Sequence, residues 1–212
     1  ATEELVLRGV HNLNFVTPDH AWPHVQALCR ELRHRGHHLP FLFNGSGYQR
    51  LELVEEYAEF MDIFLPDMKF ADPELAERCM GDARYPDIAL DAMDAMVGER
   101  GFLFPWDPSG EATAREGVLV RHLVLPGEVN NSLAVLESLE ARFGRYLPLS
   151  VMSQYRPMPA CVERGELDRS LSREEYDEVC ACVEELGFAH VYLQELNDDE
   201  AFLPDFDRPQ PF

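Results

Sequence analysis

The chain has 212 residues, of which 46% are hydrophobic and 10% aromatic, so it is long enough to bury a sizeable core. Its formal net charge of −21 disfavours binding to nucleic-acid backbones and to anionic membranes, because both repel an acidic surface. No apolar run approaches the ~20 residues that a membrane-spanning helix requires, and the sequence opens with no signal-peptide pattern.

The five cysteines do not suggest a secreted disulfide framework, because their number is odd and their spacing irregular, so we expect a cytoplasmic protein. Cys180 and Cys182 lie two apart in a predicted helix, where side chains do not face each other. Buried thiols are therefore favoured there over a metal site. Two histidine groups also lack the pattern of a zinc site; they are His20 with His24, and His34 with His37 and His38.

Apolar runs that are typical of strands alternate with amphipathic runs that are typical of helices. After a helical start that ends at Gly9, strands are predicted within residues 10–18, 39–48, 61–70, 117–127, 146–157 and 189–195. Helices are predicted within residues 19–37, 49–60, 72–80, 85–100, 130–144 and 172–187. This order implies parallel strands with right-handed crossovers, in one α/β domain over residues 1–212 that forms a barrel-like arc or a doubly wound sheet.

Local signals predict several helix starts and one buried strand. Asp19 and Asp72 are expected to cap their helices, and Ser172 with Glu175 has the spacing of a capping box. The helix of residues 130–144 is expected to begin at an Asn or Ser cap, and residues 158–170 are typical of a polar loop. The β-branched run 117–127 predicts a strand that is covered on both faces.

Polar side chains collect at the carboxyl ends of the predicted strands. In parallel α/β folds ligands bind beyond these ends, so we expect one site there. Its candidate residues are Asn14, Thr17, Asn44, Ser46, Asp67, Lys69, Arg121, Ser153, Gln154, Tyr155 and Arg156.

Several of these candidates also have a purely structural interpretation. Residues 44–47, with two glycines, are typical of a turn. Asp67 and Lys69, the latter the only lysine in the chain, lie two apart on a strand and could form a plain ion pair. Arg121 has no anion near it in the sequence, so a ligand carboxylate or phosphate is the favoured partner, whereas the adjacent His122 is expected to be a packing residue.

Several segments together resemble a known family. They are "GVHNLNFVTPDH", "FLFNGSGY", "DIFLPDMKF", "VLVRHLVLPG", "VMSQYRP" followed by "ELDRSLSREEYDEV", and "FLPDFD". In order and spacing they are similar to radical S-adenosylmethionine (SAM) proteins of the pyruvate formate-lyase activating enzyme-like type, from about Gly9 to the end of the chain. The resemblance implies a partial (β/α)6 TIM-like barrel. In this family a CxxxCxxC loop holds a [4Fe–4S] cluster, which binds SAM and cleaves it reductively to a 5′-deoxyadenosyl radical.

The resemblance also assigns roles to residues of this chain. Lys69 and Arg121, with Asp67 beside them, are placed like the cations that meet the SAM carboxylate. Asn44 and Ser46 correspond to positions near the ribose and the methionine part, and Gln154 and Tyr155 to positions near adenine. Thr17 lies where relatives carry a Gly-Gly-Glu-Pro run that binds the SAM amino group, but "VTP" departs from that run. The tail "FLPDFD" is expected to pack over a barrel end.

The cluster loop is not found in this sequence, because no cysteines have the CxxxCxxC spacing. We therefore expect a truncated barrel, with strands 2–6 and a C-terminal extension but without the first strand, that is inactive alone. The intact protein would use SAM, the cluster and an electron donor to act on a glycyl-radical enzyme or another protein. The alternative is a cluster-free α/β module that binds a small anion at the strand ends. An exposed sheet edge would also favour a dimer.

Overall fold

A computed structural model describes residues 2–109 and 111–196. In these ranges all strands are parallel, and their bounds are β1 Leu13–Val16, β2 Phe41–Gly45, β3 Ile63–Pro66, β4 Gly117–Val118, β5 Val120–Leu123, β6 Leu149–Met152 and β7 Val191–Leu193. The helices are α1 Thr2–Leu7, α2 Trp22–His34, α3 Leu51–Ala58, α4 Pro73–Met80, α5 Tyr85–Arg100, α6 Val129–Phe143, α7 Pro159–Arg164 and α8 Arg173–Leu186, and a 3-10 helix spans Pro18–Ala21. No helix in the described residues is both long and apolar enough to cross a membrane.

The strands follow one another in space in the order in which they occur in the chain. β1 to β4 form one sheet and β5 to β7 a second, and the two are continuous because β4 and β5 are one run interrupted at Leu119. The junction is joined by a bridge between Asp67 and Arg121, and the Met68 N–H donates to the Arg121 carbonyl oxygen at 2.8 Å. The predicted α/β fold with parallel strands is therefore confirmed.

Helices α2 to α6 and α8 pack on one face of the sheets and bury it. Phe43, Phe64 and Val118 on this face are essentially inaccessible, and they belong to one cluster with buried residues of the helices such as Tyr57 and Met93. On the opposite face Leu42 and Ile63 are buried, whereas Leu65 and Arg121, nearer the carboxyl ends, are half-buried. The strand of residues 117–123 is thus fully covered on the helix side alone, and the expectation that both faces are covered is wrong.

Two of the expected caps form and two do not. The Asp72 side chain accepts from the Glu74 N–H at 2.8 Å, and Ser172 with Glu175 forms the predicted capping box. Asp19 instead lies in the 3-10 helix, where its carboxylate accepts from the Tyr57 hydroxyl at 3.3 Å.

The region around α6 and α7 also differs from the sequence-based expectation. Helix α6 begins at Val129, before the expected Asn or Ser cap. The side chains of Asn131 and Ser132 therefore do not cap the helix but bind Lys69 and His122. Residues 158–170, expected as a polar loop, contain the six-residue helix α7, which begins with Pro159 in its first turn.

Candidate functional site

The candidate residues on β2, β3 and β5 share the half-exposed face of the sheets. In a parallel pair the residues in register point to the same face, and Asn44 pairs with Leu65 while Asp67 pairs with Arg121. Alternation along the strand then places Leu65 and Asp67 on one side. The polar groups therefore lie beyond or near the carboxyl ends, on the side that the helices leave open.

Asp67, Lys69 and Arg121 form one ion-paired group, here called the charge cluster. Oδ1 of Asp67 accepts from Nη2 of Arg121 at 2.5 Å, and its Oδ2 accepts from Nζ of Lys69 at 2.8 Å. The side chains of Asp67 and Arg121 are 16% and 22% exposed, whereas that of Lys69 is 40% exposed. Two cations share a single carboxylate, so the cluster carries a net charge of +1 and its ammonium group faces solvent.

The anionic partner of Arg121 comes from the chain itself. The sequence does not reveal this partner, because Asp67 is 54 residues from Arg121 and becomes its neighbour only through strand pairing. The expectation that Arg121 depends on a ligand for charge compensation is therefore corrected. One donor of this guanidinium is still unused, since the buried Nε of Arg121 has no hydrogen-bond partner within the described residues.

The hydroxyl of Tyr85 fixes the backbone that carries the charge cluster. It lies 2.7 Å from the Asp67 carbonyl oxygen and 3.0 Å from that of Ser46, and it accepts from the Lys69 N–H at 2.9 Å. Tyr85 is fully buried, and burial raises the pKa of its phenol, so the hydroxyl stays protonated and can donate. One side chain of α5 thus joins the ends of β2 and β3.

Asn131 of α6 holds the same segment from the other side. Its Nδ2 donates to the Lys69 carbonyl oxygen at 3.1 Å, and its Oδ1 accepts from the N–H groups of Ala71 and Asp72 at 2.9 and 3.2 Å. Asn131 is only 4% exposed, so these hydrogen bonds are shielded from water. The backbone of Lys69 is therefore bound on both its N–H and its carbonyl side by buried groups.

His122 satisfies the packing role that the sequence suggests. Its Nδ1 lies 2.7 Å from the Met68 carbonyl oxygen and must donate, so the neutral ring uses Nε2 to accept from the Ser132 hydroxyl at 2.9 Å. Complete burial lowers the pKa of His122 to about 4. The ring is thus a neutral link between α6 and the end of β3.

The loop after β2 packs directly against the charge cluster. A Cβ atom at Gly47 would lie 2.2 Å from the Asp67 carbonyl oxygen, and Gly47 has a φ of +77°, so no other residue is easily placed there. The Ser46 hydroxyl accepts from the Tyr48 N–H at 3.3 Å, as in a turn. The side-chain amide of Asn44 makes no hydrogen bond within the described residues. The structural interpretation holds for the turn, and it leaves the Asn44 side chain available.

The remaining candidates make no side-chain contact with the charge cluster. Gln154 is exposed and its Oε1 accepts from Gln194 at 3.2 Å, while the Tyr155 hydroxyl donates to the Leu167 carbonyl oxygen at 2.7 Å. Thr17 has left-handed backbone angles and an exposed side chain, and its N–H donates to the Asn44 carbonyl oxygen at 2.8 Å. The structure thus unites three of the eight predicted ligand-binding residues, Asp67, Lys69 and Arg121, by direct side-chain contact.

Sequence reasoning missed the groups that hold the site. Tyr85 and Asn131 lie in the first turns of α5 and α6, where local patterns along the chain give no sign of the strand ends that they bind. The described residues contain no group of three His, Cys, Asp or Glu side chains that could hold a metal ion.

No protein-family model matches the chain. An uncharacterized protein of Methanocaldococcus jannaschii is 25% identical over 181 residues, which are 85% of this chain and 48% of that protein. The chain therefore spans about half the length of this curated relative.

Among solved structures, the chain is similar to a domain of pyruvate-formate lyase-activating enzyme from Bacteroides vulgatus. The TM-score is 0.58 at 10% sequence identity, and the likeness covers 87% of this chain and 98% of that domain. At this identity the likeness establishes a shared α/β fold with parallel strands.

Proposed function

We propose that the chain is the SAM-binding part of a radical SAM protein of the activating-enzyme type, folded as a partial (β/α)6 barrel. The observation that carries this proposal is the charge cluster, in which Lys69 and Arg121 meet on Asp67 at adjacent strand ends. The parallel strands in chain order and the likeness to the activating-enzyme domain support the barrel. Ligands of such folds bind at this end of the strands.

The charge cluster has the donors that a carboxylate requires. The ammonium of Lys69 is partly exposed and uses one of its three N–H groups on Asp67, and the guanidinium of Arg121 adds positive charge beside it. A carboxylate placed against both cations would change the cluster from a net charge of +1 to neutral. We assign the SAM carboxylate to this position, with Asn44 and Ser46 towards the ribose and methionine part.

The other assignments follow the family resemblance. Gln154 and Tyr155 would lie near adenine, and Thr17 near the amino group of SAM. In the intact protein SAM supplies the radical that abstracts hydrogen from a substrate, and we propose a glycyl-radical enzyme as partner and an external electron donor.

The residues present do not fit an iron–sulfur cluster. No cysteines of the chain have the CxxxCxxC spacing, and the described residues offer no three-ligand group. We therefore propose that the cluster ligands lie outside these 212 residues and that the chain alone has no radical activity. A longer chain that carries CxxxCxxC should turn brown when reconstituted with iron and sulfide under anaerobic conditions, and it should cleave SAM. A colourless, inert product would contradict this.

Calorimetry with two related ligands tests the carboxylate assignment. SAM should bind, and Lys69→Met should weaken it about tenfold or more, because a charge-assisted hydrogen bond is lost. Decarboxylated SAM should bind equally well to both proteins. Arg173→Gln, an exposed change of charge on α8, serves as the control. Equal weakening of both ligands, or no binding of SAM, would contradict the assignment.

A second candidate function is a cluster-free module for small anions. The net charge of +1 and the partly exposed ammonium of Lys69 favour it, because neither feature is specific to SAM. Phosphate and acetate titrated into the same protein separate the two functions. Binding of these anions as tight as that of SAM would favour the module.

A further inference from the structure

A separate pocket lies beside the charge cluster. It has a volume of about 300 Å³, and its apolar floor is formed by Phe70, Leu123 and Leu125 at the ends of β3 and β5. Lys69 is the one member of the charge cluster that lines it. This volume is at the lower end of the range for small-molecule sites, and a mostly apolar lining with a few polar groups is typical of them.

The outer wall of this pocket comes from the segment that contains α7. Cys161, Arg164 and Leu167 face the pocket together with Tyr155, whose hydroxyl donates to the Leu167 carbonyl oxygen. Leu167 has a φ of +52°, a conformation that an apolar side chain rarely adopts. Such strained residues concentrate at ligand-binding positions, where the surrounding structure enforces them.

The charges around the pocket differ in sign from those of the chain as a whole. Three cations, Lys69, Arg78 and Arg164, line it together with one carboxylate, Glu166, whereas the whole chain has a net charge of −21. Arg78 is paired with Glu128 at 2.6 Å and also interacts with the charge of Glu166. Arg164 has no ion pair or hydrogen bond from its side chain among the described residues, so its guanidinium is available.

We propose that this pocket binds a small carboxylate with an apolar body, of the size of a phenyl ring or a short acyl chain. The body lies on Phe70, Leu123 and Leu125, and the carboxylate is bound by Arg164, whose planar fork of donors matches it. Lys69 and Tyr155 of the pocket also belong to the proposed SAM site, whereas Arg164 and the three apolar residues do not. Because the carboxylate is bound by Arg164, a failed test of this inference leaves the assignment of the SAM carboxylate standing.

Cys79 and Cys161 both line the pocket and provide a direct test. Alkylation by iodoacetamide is followed at each cysteine by peptide mass spectrometry, with Cys180 and Cys182 of α8 as internal references. 3-Phenylpropionate should slow alkylation of Cys79 and Cys161 at least fivefold and leave the references unchanged. 3-Phenylpropanol, which lacks the charge, and acetate, which lacks the apolar body, should each protect less than twofold. Absence of protection by 3-phenylpropionate, or equal protection by the alcohol, would overturn the proposal.

A pair of variants tests the role of Arg164. Arg164→Gln should weaken binding of 3-phenylpropionate about tenfold, measured by calorimetry and by cysteine protection, because a charged hydrogen bond is removed. Arg173→Gln makes the same change at another exposed arginine and should leave the affinity unchanged. Both variants should keep the unfolding midpoint of the parent chain. An equal effect of the two substitutions on affinity would reject Arg164 as the anchor.

Discussion

The hydroxyl of Tyr85 lies 2.7 Å from the carbonyl oxygen of Asp67, so the first residue of α5 holds the backbone at the end of β3. The same hydroxyl accepts from the Lys69 N–H, and Asn131 binds the Lys69 carbonyl oxygen. A flexible lysine side chain is thus mounted on a rigid stretch of backbone. Such support by surrounding residues is what a binding site needs in order to hold its charged groups in position.

Tyr85→Phe should destabilise the protein by about 1–3 kcal/mol. The phenyl ring still packs, but the buried Lys69 N–H and Asp67 carbonyl lose their partner and are left unsatisfied. Urea denaturation measures the free energy of unfolding. Tyr146→Phe removes an exposed hydroxyl and should change it by less than about 0.5 kcal/mol. Similar losses in the two variants would show that the buried hydroxyl has no special role.

Gly47→Ala and Gly98→Ala should have opposite effects on stability. At Gly47 the new Cβ would lie 2.2 Å from the Asp67 carbonyl oxygen at a φ of +77°, so we expect a loss of about 2 kcal/mol or more. At Gly98, within α5, a new Cβ would have no atom of another part of the chain within 4 Å. Ala should therefore stabilise the helix by up to about 1 kcal/mol. Thermal unfolding of both variants checks the sign. A neutral Gly47→Ala would contradict the close packing of this loop.

His122 should make the protein less stable in mild acid. Burial lowers its pKa from 6.5 to about 4, so between these values the unfolded state binds more protons than the folded state. The free energy of unfolding therefore falls as the pH drops through this window, by about 1.3 kcal/mol between pH 7.5 and 5.5. His122→Gln should lack this part of the pH dependence. If the free energy of unfolding of both proteins changed equally with pH, the assignment would be contradicted.

Glu175→Gln should cost about 1–2 kcal/mol at neutral pH. Glu175 completes the capping box of α8, pairs with Arg169 and accepts from the Gly127 N–H, and these contacts lower its pKa, with the Arg169 hydrogen bond as the first cause. Because the folded-state pKa is lowered, the charged carboxylate stabilises the folded protein above pH 4.5, the ordinary pKa. This stabilisation is lost progressively as the pH falls below that value.

The neighbouring Glu174 provides the matched control for this prediction. Glu174→Gln changes the same charge in the same exposed turn of α8, without the contacts that Glu175 makes, and should be nearly neutral. Urea denaturation at pH 7 and pH 3 should show a difference between the two variants that shrinks in acid. A difference that persists unchanged at pH 3 would contradict the role of the charge.

The amino-acid sequence determined most of the helices and strands and their order in the chain. Hydrophobic periodicity and helix-end signals such as the Ser172–Glu175 pair act over a few residues, so they predict strands, helices and a parallel α/β fold. The same local reasoning places Asp67 two residues before Lys69 on one face of a strand, and it allows an ion pair between them as an alternative to a ligand contact. It also separates Arg121 from His122, because neighbouring strand residues point to opposite faces.

Only the tertiary structure decided what these side chains bind. Arg121 finds its anion 54 residues away in Asp67, and the backbone of Lys69 is held by Asn131 across 62 residues. Local sequence patterns also failed to predict the early start of α6 and the presence of helix α7. Hydrogen bonds and ion pairs depend on distances in space, and those distances are set when strands pair and helices pack, so no pattern along the chain contains them.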